Sequence, residues 1–147
     1  MIDIENYIVT KIEEAVTAVY PGADVIADYI EKMATFPTVT VTQINNETLR
    51  RMQDEEPTEH YARVTFEVNV YCNDRLGKKA GCKRIIDLVD GVMFPMKFTR
   101  RPLRQLPAID HSRTIYRMYA RYTAVVDEGT EVEENGETRT VYHMYRG

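Results

Sequence analysis

The chain has 147 residues, 44% of them hydrophobic and 29% charged, which allows one domain with a single core and excludes disorder throughout. A net charge of −4 argues against polyanion binding by bulk attraction. The two cysteines, Cys72 and Cys82, have neither metal-knuckle nor redox-pair spacing, and no histidine is close enough to complete a zinc site, so they read as buried free thiols in a reducing cytoplasm.

The opening segment places Ile4, Ile8, Ile12, Ala15, Val16 and Val19 at spacings of three and four, opposite Glu5, Lys11, Glu13 and Glu14. This predicts an amphipathic helix with Asp3 at its N-cap, ended by Pro21-Gly22. Its acids make it unlike a signal peptide. Nor does any apolar run reach the length of a membrane span, so a soluble protein made inside a cell is expected. A strand is expected over 24–31. The β-branched run Thr38 to Thr42, after Phe36-Pro37, is expected to form another. Residues 45–58 have no period and read as an exposed, mobile loop.

The clearest strand covers 60–72. There Ala62, Val64, Phe66, Val68, Val70 and Cys72 alternate with Tyr61, Arg63, Thr65, Glu67, Asn69 and Tyr71, giving one apolar face and one wet or interfacial face. A second helix follows, with Asp74 as its cap. Its stripe is Cys82, Ile85, Ile86, Val89 and Met93, and Ala80 and Gly81 allow close approach to the sheet. Lys78-Lys79 suits a helix start poorly, so the regular helix is expected to begin late or the lysines to have partners. Asp87 and Asp90 fall on its polar side and read as solvated, and Pro95 ends it.

A short strand over Met96-Lys97-Phe98 is expected, and 96–110 as a whole, with Pro102 and Pro107, reads as an edge strand or extended arm. Residues 113–126 then form a long strand, with Tyr116, Met118, Ala120, Tyr122 and Ala124 on one face and Arg117, Tyr119 and Arg121 on the other. The last segment, 130–145, reads as a charged hairpin turning at Asn135-Gly136, either projecting from the body or adding to a sheet. The resulting fold class is α+β in one domain, 1–147: a mostly antiparallel twisted sheet with two helices packed on one face, plus the C-terminal β-hairpin.

No residue pattern points to catalysis. His60, His111 and His143 stand alone, and Ser112, the only serine, neighbours His111 along an extended chain, where side chains point to opposite sides. Asp54, Glu55, Glu56 and Glu59 cluster in the loop and read as solvated. There is no glycine-rich phosphate loop. No catalytic residue, cofactor or metal is therefore expected.

Charge is segregated. Residues 1–60 hold twelve acids and four bases, 97–121 hold seven bases and one acid, and 127–139 hold six acids and one base. These blocks either meet inside the monomer or join like subunits, basic face on acidic face. Arg100, Arg101, Arg104, Arg117 and Arg121, with Tyr119 between the last two, suit a protein interface. They also suit phosphates and stacked bases, although the acidic remainder of the chain opposes DNA.

The run Val68-Asn69-Val70-Tyr71-Cys72-Asn73, the helix carrying Lys78-Lys79-Ala80 and Ile85 to Met93, Phe98-Thr99-Arg100, and the strand Thr114 to Tyr122 follow in that order. With the opening helix and the Phe36-Pro37 strand entry, this order resembles the tail terminator, or tail completion, proteins of long-tailed bacteriophages over most of residues 1–127. The resemblance implies a hexameric ring that caps the tail tube, stops its growth and offers a surface to head-connector and neck proteins, with a sheath as a further partner in contractile tails. It implies a virion location at the head–tail junction and DNA contact only by passage through the ring. In such a ring the loop with Glu47, Arg50 and Arg51, and the arginine segment with Tyr119, would meet tube or neighbour. A head-completion or neck protein, and a nucleic-acid-binding module, are the alternatives.

Overall fold

The computed structural model describes residues 1–27, 35–49, 61–102 and 115–146, together with the backbone of 104–106. The expected α+β class is observed: two helices and a mostly antiparallel sheet with C-terminal strands.

Helix α1 spans Glu5–Val19. Asp3 starts it by accepting the Glu5 amide on Oδ1 at 3.1 Å, although Ile4 is the residue at the cap position. Ile4, Ile8, Ile12 and Val16 are buried, whereas Val19, which spacing placed on the stripe, is exposed. Strand β1 is confined to Asp24–Ile26 and runs parallel to β2, Thr38–Leu49. The remainder of the expected 24–31 strand, from residue 28 onward, lies outside the described residues.

Strand β2 corrects the expected loop. Its pairing with β3, Tyr61–Cys72, continues past a bulge at Ile44 through Asn45↔Thr65, Glu47↔Arg63 and Leu49↔Tyr61. Asparagine is a poor strand former, but cross-strand partners override propensity. Glu47 faces Arg63 at 3.6 Å, and Asn46 Nδ2 donates to the Ile2 carbonyl at 2.8 Å, tying the N-terminal segment to the strand. Residues 50–60 lie outside the described residues, and with them Arg50, Arg51, His60 and the acidic cluster.

After β3 the chain makes a 3-10 turn, Asp74–Leu76, and reaches helix α2, Lys79–Met93, through Gly77 and Lys78, both at positive φ. Asp74 does not cap α2; it holds Lys78 Nζ at 3.0 Å. Gly81 is required by a different neighbour from the expected one: a Cβ there would overlap the Leu76 carbonyl of the 3-10 turn rather than approach the sheet.

The expected strand at 96–98 is instead a turn. Strand β4 is Thr99–Arg100 and β5 is Arg104–Leu106. Both pair with β6, Tyr116–Asp127, so the described part of the expected arm lies along the sheet edge. The expected last hairpin divides in two. Strands β7, Thr130–Glu134, and β8, Glu137–Val141, pair about Asn135-Gly136 and, among the described residues, only with each other. Strand β9, Met144–Arg146, returns to pair with β6.

The sheet order is β1-β2-β3-β6, with β9, β4 and β5 covering successive stretches of the outer edge of β6. Short strands along an edge limit open-ended pairing with other chains. Alternation places Val39, Val41, Val64, Phe66, Val68, Ala120 and Tyr122 on one face, where they form a single core with α1 and α2. Each fully buried large apolar side chain there contributes about 1.5–3 kcal/mol. Both helices thus cover this face, and the polar residues of β2, β3 and β6 line the other. Cys72 and Cys82 are buried and unbridged, as their spacing predicted; the Cys82 Sγ lies 3.6 Å from the carbonyls of both Val70 and Tyr116.

Candidate interaction surface on the polar sheet face

On the polar face, the register of β3 with β6 sets Tyr71 opposite Arg117, Asn69 opposite Tyr119, Glu67 opposite Arg121 and Thr65 opposite Thr123. Arg117 donates from Nε and Nη2 to Asn69 Oδ1 at 3.1 and 3.0 Å and lies over the Tyr71 ring at 5.5 Å. Arg121 stands over Tyr119 at 5.6 Å and reaches Glu67 at 3.6 Å. Thr65 and Thr123 share a hydroxyl hydrogen bond of 3.0 Å.

The face has two parts. At one end Thr38, Thr40, Asn69 and Tyr71 are buried. At the other it opens into a groove of about 560 Å³ lined by Ile44, Asn45, Thr65, Arg101, Tyr119 and Arg121, with Pro102 and Thr123 completing its wall. The bulge at Ile44 shapes this groove. An extra residue in β2 turns Ile44 outward at 43% exposure while Asn45 regains the polar-face register.

Structure separates the arginines that sequence grouped. Arg101 and Arg121 come together: the Arg101 amide donates to the Arg121 carbonyl at 2.7 Å, and both side chains border the groove. Arg101 makes no ion pair among the described residues. Arg100, one position earlier, pairs with Tyr122 and so projects to the helix side, where it meets Asp90 at 3.5 Å. The side chains of Arg104 and Arg113 lie outside the described residues. Glu47 sits at the end of the face and is engaged by Arg63.

The Asp90 contact corrects a sequence expectation. Asp90 is buried, not solvated, and its Oδ1 accepts the Tyr122 hydroxyl at 2.6 Å. Burial, reinforced by this carboxylate, pushes the Tyr122 hydroxyl pKa above its ordinary value. Asp90 stands four residues after Ile86 and one after Val89, which puts it on the margin of the apolar stripe, and that spacing was the available signal. Asp87 is exposed, as expected.

Sequence reasoning also missed Ile44, Asn45, Thr65 and Thr123 as groove residues. Only the pairing of three strands unites them. His143 binds Asp127 through Nδ1 at 3.2 Å and through its amide at 2.9 Å, a clamp at the base of the β7–β8 hairpin. His111 and Ser112 lie outside the described residues. Among the described residues no group of three His, Cys, Asp or Glu side chains is placed to hold a metal ion, and no helix is long and apolar enough to cross a membrane.

No protein-family model matches this sequence, and neither does any curated protein. Chemically, the groove offers two guanidinium groups, one aromatic ring and short hydroxyl and amide side chains. Such a set is suited to anionic groups, carboxylate or phosphate, and to flat or extended partners that can lie on the ring.

Proposed function

We propose that this protein is a non-catalytic assembly subunit of a long-tailed phage, a tail terminator that closes into a ring on the end of the tail tube. The observation that carries this reading is the presence of two unlike surfaces on one small subunit: the arginine-lined groove on the polar sheet face and the acidic β7–β8 hairpin beyond the end of β6. A closed ring built by head-to-tail contacts needs two such surfaces, each complementary to the other. The resemblance of the strand–helix–strand order to tail terminators supplies the biological setting, with tube protein and head-connector proteins as partners and the virion as location.

A nucleic-acid role for the same arginines has less support. Among the described residues Arg100 is committed to Asp90 and Arg117 to Asn69, which withdraws two of the grouped arginines from phosphate contact, and a net charge of −4 opposes a polyanion. The test is light scattering of the purified chain over a wide concentration range, with and without tail-tube protein. The terminator reading expects a closed oligomer whose population rises with concentration or on tube binding. A chain that remains monomeric and ignores tubes would overturn it, and cross-linking to portal instead of tube would reassign it to the neck.

A further inference from the structure

Resting on that reading, we infer that the β7–β8 hairpin of one copy seats in the Arg101/Arg121 groove of the next copy, and that this contact joins neighbouring subunits. Among the described residues the hairpin pairs with no other strand, and it is almost wholly exposed. An isolated two-stranded ribbon is marginal in water, so a hairpin of this kind gains from a second surface. It is nonetheless pre-set for docking. Asp127 Oδ1 accepts the Gly129 and His143 amides at 3.0 and 2.9 Å, fixing both ends of the ribbon and lowering the ordering cost of association.

Charge selects the occupant. Glu131 and Glu133 lie on one face of the ribbon, opposite Thr140 and Thr138, and neither makes an ion pair among the described residues. Glu134, on the other face, is already held by Arg139 at 2.8 Å. Two positions along a strand separate the free carboxylates by about 6.6–6.8 Å. Arg101 and Arg121 arise from hydrogen-bonded neighbouring backbones about 5 Å apart, and their long side chains span the difference. Among the described residues that line the groove none belongs to the hairpin, so each copy presents one acidic ribbon and one basic groove. A contact of this kind is heterologous and repeats from copy to copy until rotation closes it.

The experiment is a charge reversal read by sedimentation of the full chain at two salt concentrations. One variant carries Glu131→Lys and Glu133→Lys, the other Arg101→Glu and Arg121→Glu. Wild type is expected to associate, and less so at high salt. Each variant alone should associate about tenfold more weakly or worse while keeping the wild-type far-ultraviolet circular-dichroism spectrum; Arg121→Glu, set opposite Glu67, lowers the melt of its variant without unfolding it at the assay temperature. Mixed in equal amounts, the two variants should regain the oligomer by alternating around the ring, a rescue that misfolded chains cannot give. Unchanged association of either variant, or a mixture that stays dissociated while wild type assembles, overturns the hairpin contact and leaves the ring reading standing. Wild type that is monomeric even on tail tubes overturns both. If Arg101→Glu with Arg121→Glu abolishes binding of a DNA duplex but spares assembly, the groove serves nucleic acid and the proposal fails.

Discussion

Replacing Asp90 with alanine tests how the arginine segment is fastened to the helices. The Tyr122 hydroxyl is fully buried and donates to the Asp90 carboxylate at 2.6 Å. A hydrogen bond to a charged acceptor contributes about 1.5–3 kcal/mol, and a buried hydroxyl left without a partner costs a similar amount. The Arg100 pair, at 3.5 Å with its guanidinium side chain 31% exposed, adds at most about 1 kcal/mol after solvent screening. Asp90→Ala should therefore lose about 2–4 kcal/mol in urea unfolding, which lowers Tm by about 5–15 °C for a chain of this length. Tyr122→Phe keeps the Asp90–Arg100 pair and should lose less. The same contact gives a pH signature. Because the Tyr122 pKa is raised in the folded state, its contribution is fully present below the ordinary tyrosine value of about 10 and declines as pH rises beyond it. Stability should fall above about pH 10, less steeply in Tyr122→Phe than in wild type. A loss under about 0.5 kcal/mol for Asp90→Ala is the size expected of an uninvolved surface acid and would show that the Tyr122 and Arg100 contacts do not hold this segment.

Three further outcomes are expected. Gly81→Ala drives a methyl group into the Leu76 carbonyl and should cost about 1–3 kcal/mol, whereas Gly91→Ala, with open space around it on the same helix, should stabilise by about 0.5–1 kcal/mol; equal effects in a thermal melt would contradict the packing of the 3-10 turn. Asp127→Ala removes the acceptor for two amides at the hairpin base, so hydrogen exchange over 130–141 should speed about tenfold while the core of β3 keeps its protection; uniform acceleration would show that the clamp is not local. Cys72 and Cys82 are buried, so a thiol reagent should modify neither until the chain unfolds; rapid labelling of the native protein would contradict their packing.

Periodic features were legible in the sequence because period maps directly onto burial. The two-residue alternation of β3 and β6 set both faces of the sheet, and it put Arg117, Tyr119 and Arg121 on one side. The Ile4, Ile8, Ile12, Val16 spacing fixed the buried side of α1, and Asn135-Gly136 marked the hairpin turn. What escaped depends on pairing between distant segments. Asn45 to Leu49 resembles a loop until Tyr61 to Thr65 supplies its partners. Arg100 and Arg101 look equivalent as neighbours, yet pairing with β6 sends them to opposite sides of the sheet, one to Asp90 and the other to the groove. Strand β9 was hidden because Tyr142-His143 breaks the last segment, and its residues find β6 only after the hairpin folds back. The groove itself was invisible in sequence, being built by a bulge in one strand and the register of two others.

The ring-forming role proposed for this chain can be seen directly. Negative-stain microscopy of the purified protein, alone and incubated with tail tubes, tests it most directly. Closed rings of about six copies joined head to tail, seated at one end of the tubes, are expected. Only scattered single copies, with tube ends bare, would contradict it.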